Sequence, residues 1–139
     1  MIHESELMVN DIVEYADEGI ACFCRIKGIG DGLVLLRTLK DKGEYVATFD
    51  DIRPVALSKY FFHVNNFLHA YNACKNTEMF TLSRPFKNGI QVWFYKHELG
   101  NIEIWGESHL ETNRMKYIHA FQNALRSCGL KDIADNLIL

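Results

Sequence analysis

Apolar and polar residues alternate with a period of two through much of the first 57 positions, the signature of half-buried strands. In Ile20-Ala-Cys-Phe-Cys-Arg-Ile26, the residues Ile20, Cys22, Cys24 and Ile26 share one side of an extended chain, which marks that side as the core face. Asp11–Tyr15 precedes it as a strand, separated by the turn-prone Ala16-Asp17-Glu18-Gly19. Gly28–Gly32 reads as a turn needing positive φ, Leu33–Leu39 as a second long strand, Lys40–Gly43 as a polar tip and Glu44–Phe49 as the returning strand. Asp50–Pro54 closes the set, and Pro54 holds Arg53 extended. Four or five short strands within about fifty residues cannot each bury a face alone. They are expected to curl into a small SH3-like antiparallel barrel with Val13, Cys22, Cys24, Ile26 and Leu35 inward.

From Ser58 the period changes. Ser58 suits an N-cap, and Tyr60, Val64, Phe67, Tyr71 and Cys74 recur at helical spacing. The helix runs to Asn72 or stops at Asn65-Asn66, since Asn accepts the left-handed conformation that ends helices. Strand character returns in Glu78–Leu82, before a connection carrying Pro85, and again in Ile90–Tyr95 and Asn101–Trp105, which read as a hairpin around His97–Gly100. Trp93 and Tyr95 fall on one face there, with Ile102 and Ile104 opposing. A C-terminal helix covers the sheet. It starts at Ser108, where Ser108–Glu111 has capping-box form, or at Thr112-Asn113, and carries the stripe Tyr117, Phe121, Ala124, Leu125, Cys128 up to a stop at Gly129. Leu130–Leu139 adds a short turn of helix packing Ile133, Leu137 and Ile138 on the core. The expected fold class is α+β, with a barrel module at 1–57 and helix, strands and C-terminal helix at 58–139, packed as one compact unit.

Composition adds mainly exclusions. The 139 residues are 48 % hydrophobic and 24 % charged, which rules out disorder. No apolar run approaches the ~20 residues of a bilayer span, and Met1–Glu6 lacks the features of a signal peptide, so no membrane partner and a cytoplasmic location are expected. The net charge of −3 divides unevenly: before Ser58 six Lys/Arg face eleven Asp/Glu, and from Ser58 onward nine face seven. Neither part has the dense basic field of non-specific nucleic-acid binders, and Asp31, Asp41 and Glu44 offset the local basic group Arg25, Lys27, Arg37, Lys40 and Lys42.

Candidate chemistry is sparse. Cys22 and Cys24, one residue apart, point the same way on a strand instead of forming a zinc knuckle, Cys74 and Cys128 stand alone, and six histidines are scattered. The expectation is reduced thiols, no metal and no cofactor. Gly28, Gly30 and Gly32 precede Leu33-Val-Leu-Leu36 where a phosphate loop would precede a helix. The one enzymatic arrangement that can be drawn, His119 with Glu111 or Glu107 and Cys128, separates His119 from Cys128 by roughly 13 Å along a helix, too far for a base and nucleophile. No catalytic residue is assigned, and His119 is expected on the helix surface.

Leu7–Val13, Lys27–Asp31, Asp51–Ser58, Asn65-Asn66-Phe67 and above all Lys116-Tyr-Ile-His-Ala-Phe-Gln-Asn-Ala-Leu-Arg-Ser-Cys-Gly-Leu130 resemble a family of small uncharacterised proteins of gut Bacteroides-group bacteria and their phages and mobile elements. The chain departs from that pattern with Asn10 and Asn66 in place of Gly and Ala56 in place of Pro. The resemblance implies an SH3-like barrel joined to strands and a helix, and carries over no activity. Two functions follow as expectations: a non-enzymatic module that docks a protein partner, with Arg25, Lys27, Arg37, Tyr45 and His119 as its surface, or a nucleic-acid accessory protein of a phage or mobile element whose aromatics stack on bases.

Overall fold

The computed structural model describes residues 2–83 and 88–139, so the connection at Pro85 lies outside the described residues. The fold is α+β, with two five-stranded antiparallel sheets and three short α-helices among the described residues.

In the first sheet β1 (Ile12–Asp17), β2 (Ile20–Gly30), β3 (Leu33–Thr38) and β4 (Glu44–Thr48) form a meander, and β5 (Ile52–Arg53) returns beside β1, giving the order β4-β3-β2-β1-β5. A single 3-10 turn at Phe49–Asp51 carries the chain from one edge to the other. Ala47 of β4 and Ile52 of β5 belong to one buried cluster with Val13, Cys24, Ile26, Val34 and Leu36, but among the described residues the two edge strands do not pair, so the sheet curls without closing into a barrel.

The turn expected at Gly28–Gly32 is shorter than that. Gly28 and Gly30 belong to β2, and only Asp31 (φ 53°) and Gly32 (φ 74°) take the left-handed region, as Glu18 and Gly19 do between β1 and β2. Two consecutive positive-φ residues give the tight turn whose twist matches that of the flanking strands. A register shift between Ile26 and Gly28 against β3 accompanies the extra length of β2. Val34, Leu36 and Thr38 point inward, and Leu35, expected inside, is 37 % exposed. Ile20 is also exposed: β3 pairs with β2 only as far as Cys24↔Thr38, so the sheet offers nothing for Ile20 to pack on.

Ser58 caps α1 (Lys59–Val64), its hydroxyl accepting from Phe61 N at 3.2 Å, and Asn66 (φ 64°) ends it. The helix thus stops at Asn65-Asn66. The stripe through Tyr60, Val64 and Tyr71 does not form; the neighbours Phe61 and Phe62 are the buried pair, and Tyr71 lies in a strand. Asn65 secures the end by donating to Phe61 O and Ile138 O and accepting from Ile138 N, each at 2.8 Å.

The second sheet has the order β10-β9-β8-β7-β6, from β6 (Leu68–Asn72), β7 (Thr77–Ser83), β8 (Gly89–Tyr95), β9 (Glu98–Trp105) and β10 (His109–Thr112). The β8–β9 turn is Lys96-His97 alone, both at positive φ, two residues tighter than expected. Val92 pairs with Ile102 and Ile90 with Ile104 on the buried face, leaving Trp93 and Tyr95 on the other side. Neither expected start of the C-terminal helix holds, because His109–Thr112 pairs with Trp105–Ile102 as a fifth strand. The helix, α2 (Ile118–Ser127), begins after Tyr117, an antiparallel bridge from Tyr117 to Ala56 fixing its entry. Phe121, Ala124, Leu125 and Cys128 are buried as expected, and Gly129 (φ 82°) stops the helix. In and after α3 (Lys131–Asn136), Ile133 and Leu137 are buried, whereas Ile138 is exposed.

The centre of the second core is aromatic. Phe62 has ring contacts with Phe61, Phe67, Phe80, Phe94 and Phe121 at 5.1–6.1 Å. Ile12 of the first sheet joins this cluster, and its N–H donates to Gln122 Oε1 at 2.8 Å.

Candidate functional site

A recess bounded by exposed aromatic rings lies where the first sheet meets α1. Phe23 faces outward because Cys24 beside it faces the core, and it is 41 % exposed. Tyr45 reaches the recess from edge strand β4, stacked on Tyr15 with ring centroids 5.2 Å apart and an interplanar angle of 17°. Tyr60, in the first turn of α1, is 65 % exposed across from them. With Cys22, Leu39 and Leu139 these rings bound a cleft of about 690 Å³, and a second cleft of about 510 Å³ along Val55 and Ala56 shares Phe23, Tyr60 and Leu139 with it. The two clefts adjoin at Phe23, Tyr60 and Leu139 and together make a trough with mixed apolar and polar walls. Lys40 and Asp41 line one end; the Asp41 carboxylate accepts from the Thr38 hydroxyl and from Gly43 N, bonds that hold it below the usual carboxylate range.

Two thiols sit beneath the trough. Cys22 and Cys24 Sγ atoms are 3.7 Å apart and unbridged. Burial first, and then the contact with Cys22, pushes the Cys24 thiol up to about 12, so it stays protonated and unreactive at neutral pH.

The residues expected to form an interaction surface do not assemble. Arg25 is committed internally: Nη1 donates to Asn10 O and Asp135 O, each at 3.0 Å, and Nη2 donates to Leu137 O. Arg37 is paired with Glu44 at 2.7 Å. Lys27 is partly buried beside them on β2. His119, expected on the helix surface, is 5 % exposed and stacked on Tyr117, and its Nδ1 has no hydrogen-bond partner. Of the five only Tyr45 lines the trough. Phe23 is legible as the outward residue between two inward cysteines; Tyr60, on the expected core stripe, carries no local sign of its partner on β2.

A polar cluster with no sequence signature sits at the far end of the second sheet. The Glu78 carboxylate takes bonds from Lys59 Nζ and from His69 Nε2 (2.9 Å), while His97 Nδ1 accepts from Lys59 at 2.6 Å. The Lys59 hydrogen bond is the main reason Glu78 is held below the ordinary range for Glu. These side chains satisfy one another and tie α1, β6, β7 and the β8–β9 turn together, and none of them lines the trough. Among the described residues no three His, Cys, Asp or Glu side chains are placed to hold a metal ion, and no helix is long and apolar enough to cross a membrane. The chain matches no protein-family model, and no curated protein or solved structure matches it.

Proposed function

We propose that the chain is a non-enzymatic binding module that docks an extended segment of a protein partner in the Phe23–Tyr60 trough. The observation that supports this reading is the convergence of Phe23, Tyr45 and Tyr60, from three separate elements, on one open trough. Exposed rings bounding a groove offer large contact area at low entropic cost, which is why aromatic residues dominate binding hot spots. The competing nucleic-acid reading needs several free cations beside the rings; Lys40 lines the trough next to the Asp41 carboxylate, and Arg25 and Arg37 are spent on internal carbonyls and on Glu44.

Selection from a displayed library of random peptides tests the proposal. Enriched peptides should share apolar residues at alternate positions and lose about 30-fold or more in affinity against Phe23→Ala and Tyr60→Ala variants. Both positions are exposed, so thermal melts of the variants should match the parent. Failure of any peptide to enrich, or equal binding to the variants, removes the reading; salt-sensitive binding of a labelled oligonucleotide at the same residues replaces it with the nucleic-acid one.

A further inference from the structure

The two sheets have four edge strands, and they differ in how they are guarded. An edge strand offers a row of unpaired N–H and C=O groups, and proteins blunt it with charge, proline or brevity. β5 has two residues and is followed by Pro54. β4 carries the ion-paired Glu44, and β10 carries Glu111. β6 has none of these guards. Leu68-His69-Ala70-Tyr71-Asn72 has no Lys, Arg, Asp, Glu or Pro, pairs residue for residue with Thr77–Thr81 of β7 without a register shift, and is exposed along its whole length, Leu68 at 74 % and Tyr71 at 58 %.

We propose that β6 is a self-pairing edge, and that two copies of the chain join through antiparallel β6–β6 contact about a two-fold axis at Ala70, making one continuous ten-stranded sheet. The strand is complementary to itself in this register. Ala70 meets Ala70 of the second copy, where the small side chain allows close approach. His69 meets Tyr71 twice, on the face where His69 is already stacked on Phe80 at 4.6 Å, so the pairing adds a ring on each side of the axis. Leu68 meets Asn72 on the opposite face. No pair brings like charges together, and no carboxylate must be desolvated, as Glu44 would be if β4 paired instead. His69 is fixed beforehand by its bond to Glu78, which lowers the entropy lost on association.

The mass of the full chain in solution, measured by light scattering over a concentration series, tests this. The expected mass rises toward twice 16.1 kDa. Ala70→Lys, which sets two ammonium groups against each other at the axis, should hold the chain at monomer mass, as should Ala70→Glu, and mixing the two variants should restore the dimer. Val46→Lys on β4 should leave dimerisation unchanged. Residues directly opposed in an antiparallel pair have Cα atoms about 4.5–5.5 Å apart, within disulfide range. Ala70→Cys in a Cys74→Ser background should therefore give a disulfide-linked dimer under mild oxidation. A parent chain that stays monomeric at every concentration overturns the proposal. So does a dimer that survives Ala70→Lys or dissociates with Val46→Lys. The readout is independent of peptide binding in the trough, so either proposal can fail alone.

Discussion

Asp11 and Arg126 meet at 2.5 Å across 115 positions of sequence, Asp11 fully buried and the Arg126 side chain 8 % exposed. Burial pushes the Asp11 carboxyl upward and Arg126 opposes that push, so the pair holds its charge only because both partners are present. Arg126 also pairs with Asp135 at 3.0 Å, linking β1 to α2 and α3.

Arg126→Met is expected to cost about 3–5 kcal/mol, since it leaves a carboxylate buried without a counter-charge. Asp11→Asn should cost less, because Arg126 keeps Asp135. Urea denaturation of both variants and the double variant gives the comparison; losses that simply add in the double variant would mean the pair carries no special weight.

Acid should weaken the fold through His119. Burial holds its imidazole below the usual 6.5, against the opposite pull of Asp11 and Glu6. The unfolded chain therefore binds the proton first, so this contribution is intact above pH 6.5 and is lost as pH falls from there toward the lower folded-state value. The slope for one proton is at most about 1.4 kcal/mol per pH unit. His119→Leu should flatten the denaturation midpoint across that window relative to the parent, and parallel curves for the two proteins would place the sensitivity elsewhere.

Phe121 is fully buried, its ring 5.8 Å from Phe62 and 6.2 Å from Phe61. Phe121→Ala should cost about 3–5 kcal/mol, a large part of the roughly 5–15 kcal/mol that holds a domain together. A sharply lower melting temperature or loss of soluble expression is expected, and a parent-like melt would show that the helix does not cover the sheet.

Thiol labelling of the native protein should proceed in a fixed order. Cys74, on the β6–β7 turn, is exposed and reacts first, partly buried Cys22 follows, and Cys24 and Cys128 wait for unfolding. Rapid modification of Cys24 would overturn the assignment of its face.

Strands whose inward and outward residues differ in polarity were legible, as Val13 against Glu14 on β1 shows. Leu33-Val34-Leu35-Leu36 is apolar on both sides, so nothing in it tells Val34 and Leu36 from Leu35. Local signals also lost to pairing. Ser108–Glu111 has the residues of a helix start, but His109–Thr112 finds β9 as a partner and extends. In α1 the adjacent Phe61 and Phe62 both go inward because the helix is wedged between α2 and the second sheet, a setting that periodicity cannot express. The trough is harder still to read, since Phe23 and Tyr60 meet only through the docking of one sheet on the rest. His119 is buried against expectation for a related reason: its segment packs against the N-terminal residues, Asn123 one turn later donating to Glu6 O at 2.9 Å.

The grip of Arg25 on the carbonyls of Asp135 and Leu137 spans 110 and 112 positions, and Ile12 waits for Gln122 across another 110. On a ribosome the first sheet emerges long before those partners exist. Arg25 and Asp11 must stay hydrated, and the Ile12 N–H must bond water, until α2 and α3 leave the exit tunnel. Such long-range closure is slow, and the nascent first sheet passes that interval with its docking side open, within reach of chaperones and of other chains. Synthesis arrested before α2 should leave the first 57 residues sensitive to protease, and release of the complete chain should protect them in one step.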